Sequence, residues 1–263
     1  MAPESGETAQ AVEEFLFNVI DLVSDDVAIV KPQISLFERL GEKGLTALRR
    51  VCAHARERGL LVLLDAKRGD IADTAFAYAQ TYLGGESTFA VDAMTVNPYL
   101  GPDSIEPFLI EAERRARGVV VLVRNSNQGS SEYQAIETIR GPFFQLVAAS
   151  LSSWQDRLAN GRTGWSSLGV TVAATHPADT DLIRSTLPNC FFLVLGYGAQ
   201  GASAADAVRG FRRGPAGLEG GVVSTSRRIL FPTESQETTA TAWQQGVRRA
   251  LRTAIDELGE VIA

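Results

Sequence analysis

Short runs of β-branched and leucine residues alternate with longer stretches in which apolar positions recur every three or four residues. The short runs predict strands over 27–30, 60–64, 93–96, 119–123, 169–173, 191–195 and 221–224. Helices are predicted before the first strand and after each of the seven, the last over about 239–262. Strands this apolar are buried on both faces, as parallel strands beneath crossover helices are. No linker or low-complexity stretch divides the chain, so one domain is expected over 1–263. Seven strands and eight helices, opening on a helix, fall one strand short of a (β/α)8 TIM barrel. The expectation is therefore an α/β barrel lacking its first strand in this chain. An open doubly wound sheet, for which seven strands suffice, is the alternative.

Composition narrows the function. The 263 residues are 45% apolar and 21% charged, which excludes disorder as the main state. With 25 Lys and Arg against 31 Asp and Glu the formal charge is −6, the wrong sign for a general binder of nucleic acid or of a membrane surface. No run of about 18 apolar residues and no basic leader followed by an apolar stretch is present, so a cytoplasmic location is expected. Cys52 and Cys190 lie in apolar runs and read as core thiols of a reducing compartment. His54 and His176 are too few and too far apart for a histidine metal site or a catalytic triad.

The densest cluster of reactive side chains is Asp65-Ala-Lys67-Arg-Gly-Asp70-Ile-Ala-Asp-Thr74, directly after an apolar run. Asp65 and Lys67, two apart on a strand, point to one face at its C-terminal end, where βα enzymes place their chemistry. Asp70 follows in the turn, and Thr74 lies one helical turn on. Lys31 ends the preceding strand, so neighbouring barrel strands would complete an alternating Lys-Asp-Lys-Asp array. Such an array keeps Lys67 protonated, as a proton donor must be. Taken singly, each segment also fits a solvated strand-end charge cluster or a snorkelling lysine. The segment Gly196-Tyr-Gly198-Ala-Gln200-Gly201 satisfies GxGxxG between a strand and a helix. A dinucleotide fingerprint belongs on the first βα turn, whereas one strand alone follows here, and that strand ends near Ser226-Arg227. A phosphate monoester site is favoured, with a dinucleotide site or a plain glycine turn as alternatives. Asn97-Pro-Tyr-Leu-Gly101 and Arg124-Asn125-Ser126-Asn127 are polar strand-end loops suited to small-molecule contacts or to turn chemistry alone.

Together these segments resemble the orotidine 5'-phosphate decarboxylase family, from about Val19 to Leu230, and most closely its bacterial branch with KPQ, TVNPYLG and GYGAQG segments. The motif Asp65-x-Lys67-x-x-Asp70-Ile71-x-x-Thr74 is highly specific for it. The resemblance implies decarboxylation of orotidylate to UMP, with no metal or organic cofactor. It places Lys31, Asp65 and Lys67 in one active site, with Asp70 and Thr74 supplied by the other subunit of a homodimer. It gives Ser126 to the pyrimidine, and Gln200 and Arg227 to the phosphate. Carbon dioxide would leave C6 beside Asp70, and Lys67 would stabilise and then protonate the carbanion. This chain departs from the family pattern at Asn125, where Thr is usual, and at Leu195, where Pro is usual. The family's first strand, ending in an Asp-Pro pair that contacts the ribose, is not found. A shortened version of a longer natural chain, or a weakened protein, is expected on that ground. Other readings are a catalytically dead nucleotide-binding homologue and an NAD-dependent oxidoreductase.

Overall fold

The computed structural model describes residues 5–198, 200–215, 217–232 and 239–262; Ala199, inside the glycine motif, lies outside them. Seven strands form one sheet: β1 (Ile29–Val30), β2 (Leu61–Arg68), β3 (Ala93–Val96), β4 (Gly118–Val121), β5 (Ser166–Ala173), β6 (Cys190–Leu195) and β7 (Gly221–Val223). They stand side by side in chain order, every neighbouring pair parallel. Each parallel step needs a crossover, and helices supply most of them. The longer helices are α1 (Ser5–Val23), α3 (Gly41–Glu57), α4 (Ala72–Leu83), α5 (Glu106–Arg115), α7 (Phe143–Leu151), α8 (Pro177–Thr186) and α11 (Ala240–Ile262). Shorter ones are α2 (Ile34–Glu38), α6 (Ser130–Gln134), α9 (Ala204–Val208) and α10 (Arg227–Leu230). A doubly wound sheet would reverse its strand order at a switch point. This order never reverses, which removes that alternative.

The sheet is curled. Helix α1 packs on α3, beside the first strands, where Phe17 stacks on His54 with ring centroids 4.3 Å apart. It also packs on α11, which follows the last strand, with Phe15 5.2 Å from Trp243. One helix touching the neighbours of both sheet ends draws those ends towards each other. The wall stays open all the same. Among the described residues β1 and β7 each have a strand on one side only. Both are half-buried along their length, whereas β4 is buried throughout.

Alternation along the strands separates two cores. Val62, Leu64, Met94, Val119, Val121, Val170, Val172, Phe192 and Val194 belong to the large core shared with the helices. Leu63, Val120 and Leu193, with Ile29, Ala93, Leu195 and Val222 packed around them, form a small cluster on the opposite, inner face. Two residues beyond Ile29, Leu63 and Ala93 on that face stand Lys31, Asp65 and Thr95. The apolar inner layer is thus the floor on which the polar residues sit.

The elements depart from expectation in length. Strand β2 runs on past Leu64 to Arg68, because Asp65 and Lys67 turn into a polar interior rather than into a loop. β1 has two residues and β7 three, as befits edge strands with one pairing partner. Two hairpins, Glu137–Thr138 with Gly141–Pro142 and Arg212–Gly214 with Gly217–Glu219, were not expected; strands of two or three residues carry no readable period.

Candidate active site

The site begins with a distortion of β2. Its register against β3 shifts between Leu64 and Arg68, and Lys67 has φ +49°, in the left-handed region. A non-glycine residue pays roughly 1–2 kcal/mol to stand there. The lysine Nζ is thereby brought to 2.6 Å from Asp65 Oδ1, while Lys31 Nζ from the end of β1 lies 3.1 Å from Asp65 Oδ2. The pairing is fixed by backbone too, since Asp65 N–H donates to Pro32 O at 2.9 Å. Two neutral donors complete the carboxylate's shell: Gln33 Nε2 at 3.3 Å and the Thr95 hydroxyl at 3.1 Å. Asp65 is 8% exposed. Burial pushes its carboxyl up, but the two lysines outweigh burial and hold it below its ordinary value. The Lys67 side chain is 42% exposed, so its ammonium is open to solvent beside the buried carboxylate.

Three of the four charges expected in the array therefore meet. Asp70 stands apart: its Oδ1 accepts the N–H of Ile71 at 2.8 Å, and it makes no ion pair with Lys67 among the described residues. Thr74, in the first turn of α4, is exposed. Exposed apolar side chains accompany them, with Ile71 55%, Tyr99 78% and Leu100 51% accessible. The loops carrying these residues are adjacent, since Asn97 N–H donates to Arg68 O at 2.7 Å. Asn97 itself caps its own loop, Oδ1 accepting from Tyr99 N–H at 3.0 Å, so turn chemistry accounts for it.

Ser126 follows β4 in a loop held from below. Arg124, in the loop read as suited to small-molecule contacts or to turn chemistry alone, is 2% exposed and is held in a polar cluster, so for this residue the structural reading applies. Its Nε lies 2.8 Å from Asp179 on α8, and its other nitrogens donate to Ser130 and Ser131 on α6. Asn125 is tied in as well, its N–H to Gln134 Oε1 at 2.8 Å and its Oδ1 to the Thr171 hydroxyl at 3.1 Å. Burial and the Arg124 cation, opposed by Asp179, lower the pKa of His176 at the start of α8.

The glycine motif closes this side. Gly196 has φ +93°, and a Cβ there would come 3.0 Å from Gln200 Oε1, 3.1 Å from Ser126 Cβ and 3.2 Å from Thr175 Cγ2. Ser126 and Gln200 thus converge on a point where no side chain fits. Gln200 and Thr175 also line a cavity of about 260 Å³ with Gly201, Ala202 and Asp206. Of the two neighbouring arginines on α10, Arg228 is committed. It packs over Gly198, where a Cβ would meet its Cδ at 2.8 Å, and pairs with Glu257 of α11. Tyr197 donates its hydroxyl to the same carboxylate at 2.6 Å, and burial together with that bond pushes its pKa up to about 12. Arg227 is exposed and makes no ion pair among the described residues, so its guanidinium is available to an anion.

Thr95 and Gln33 stand in the TVNPYLG and KPQ segments, but the sequence assigns neither of them a role. Thr95 is the lone polar residue of β3 and lies across from Asp65; strand alternation against a charged neighbour would have singled it out.

Residues 9–239 match the family model described as orotidine 5'-phosphate decarboxylase / HUMPS family. The orotidine 5'-phosphate decarboxylase of Rhodopirellula baltica is 39% identical over 250 residues, covering 92% of this chain and 82% of that protein. The Clostridium acetobutylicum enzyme of the same name is 35% identical over 257 residues, covering 96% and 87%. Among solved structures, Leishmania donovani OMP decarboxylase superposes with a TM-score of 0.77 at 29% identity, over 96% of this chain and 88% of that one. The Methanocaldococcus jannaschii enzyme shares the fold, with a TM-score of 0.68 at 16% identity over 94% and 93%. Likeness along nearly the whole chain, in sequence and in backbone, makes this protein a member of the orotidine 5'-phosphate decarboxylase / HUMPS family.

Proposed function

We propose that this chain is a carbon–carbon lyase that converts orotidine 5'-phosphate to UMP in pyrimidine nucleotide synthesis, with Lys67 as proton donor. The observation that carries the role of Lys67 is the Lys31–Asp65–Lys67 array, built on the inner face at the C-terminal mouth of the sheet. The C6–carboxylate bond breaks, its electron pair stays on C6, and carbon dioxide departs. The ammonium of Lys67 stabilises that pair and then gives C6 a proton, which the lysine recovers from water. Asp65 holds Lys67 in place from one side and Lys31 balances Asp65 from the other. Ser126 contacts the pyrimidine, while Gln200 and Arg227 hold the phosphate, the uncommitted guanidinium of Arg227 favouring that assignment. Binding energy from the phosphate organises the reacting end.

Two further parts belong to this reading. The sheet is the wall of a (β/α)8 barrel, and the opening between β1 and β7 is the place of one more parallel strand; the half-buried edges support this. The working form is a homodimer in which Asp70 and Thr74 enter the partner's site. Its support is their position away from Lys67, beside exposed Ile71, Tyr99 and Leu100.

The test is the conversion of orotidylate to UMP by the protein and by Lys67→Ala, with EDTA present throughout. Turnover should fall by about 10²- to 10⁴-fold in the variant, and in D₂O the protein's UMP should carry deuterium at C6. Near-normal kcat for Lys67→Ala would remove this lysine from the chemistry.

A further inference from the structure

We infer that Thr95 is a positioning residue for Lys67, setting through one hydroxyl both the backbone and the charge partner of the proton donor. The inference rests on the assignment of Lys67 above. Lys67 occupies a left-handed backbone at φ +49°, and a lysine does not choose that conformation unaided. Its N–H cannot enter the regular ladder, because the β2–β3 register breaks between Leu64 and Arg68. The N–H instead donates to Thr95 Oγ1 at 2.9 Å. The same oxygen donates its proton to Asp65 Oδ1 at 3.1 Å, and that carboxylate oxygen is the one 2.6 Å from Lys67 Nζ.

The three bonds close a ring: backbone of Lys67, hydroxyl of Thr95, carboxylate of Asp65, ammonium of Lys67. Both ends of the lysine are thereby referred to one atom. Thr95 is 1% exposed, so water cannot replace the hydroxyl, and its β-branched side chain has little freedom about χ1. Without the hydroxyl, the Lys67 N–H loses its acceptor beneath a strained backbone, and relaxing the strain swings the ammonium away from C6. A displacement of about 1 Å suffices to cost up to about 10²-fold in rate.

The discriminating pair is Thr95→Val, which keeps the shape and removes the hydroxyl, and Thr95→Ser, which keeps the hydroxyl. Thr95→Val should lower kcat about 10- to 100-fold while KM for orotidylate and the Kd for UMP stay within about threefold, since no phosphate or pyrimidine contact is touched. Thr95→Ser should restore most of kcat. Three results would overturn the inference: unchanged kcat in Thr95→Val, no rescue by Thr95→Ser, or a loss of UMP binding that parallels the loss of kcat and marks general damage to the fold. Lys67→Ala measured beside them separates the two readings. If it remains active, the proton-donor assignment fails; if it is inactive while Thr95→Val turns over normally, the positioning role alone fails.

Discussion

Asp65 sits between two ammonium groups at 3.1 and 2.6 Å, and its charge is what lets them share so small a space. Asp65→Asn leaves two like charges facing a neutral amide, and about 2 kcal/mol of stability should be lost at pH 7, between the small value of exposed pairs and the larger one of buried pairs. The pH dependence has a definite sign. The folded carboxyl titrates below its ordinary value, so its contribution is complete above roughly pH 4 and disappears as the pH falls through the lower folded value. Urea unfolding of the protein and of Asp65→Asn should therefore differ at pH 7, and the difference should narrow as the pH falls below about 4. A constant difference across that range would mean that the carboxylate charge is not the source.

Among the elements, the last two strands depend on a single side chain from α8. Arg184, 7% exposed, donates to the carbonyls of Leu187, Pro188 and Cys190 at the entry to β6, to Gly210 in the following loop and to Gly220 just before β7. Its guanidinium lies 3.5 Å from the centroid of Phe192. Burial, reinforced by Arg212, lowers its pKa to about 10, still well above neutrality. Arg184→Ala removes the guanidinium from all of these carbonyls, leaving Gly220 O with the Phe192 N–H, and should cost about 3–5 kcal/mol in equilibrium unfolding. A loss below about 1 kcal/mol, as at an exposed site, would show that water replaces the guanidinium. None of this was legible in the sequence, where Arg184 is one arginine of an amphipathic helix. The strands themselves were legible, because Val119 to Val121 and Phe192 to Val194 have no polar residue to interrupt them. At the end of β2 the apolar run predicts a stop at Leu64, yet the placing of Asp65 and Lys67 on one strand face holds, since the strand runs on to Arg68. Lys31, Asp65 and Lys67 were found because charge at a strand end stands out. Thr95 was missed because a threonine in a strand needs no other explanation.

For the whole molecule, the placement of Asp70 and Thr74 leads to a complementation experiment. Lys67→Ala and Asp70→Asn, each expected to be inactive alone, should regain activity when mixed under conditions of subunit exchange, because a hybrid of the proposed homodimer would carry one intact site. No recovery despite demonstrated exchange would place all four charges in one chain. The packing of α1 against α11 has a different kind of consequence. Phe15 and Trp243 touch although more than two hundred residues separate them. During synthesis α1 leaves the ribosome well before α11, so the nascent helix waits for one of its packing partners until α11 has been made. Closure of the curl is the most non-local event in the folding of this chain, and its loop-closure entropy must be met before the contact stabilises anything. Until then Phe15, half-buried in the folded protein, stands without the indole of Trp243 to cover it.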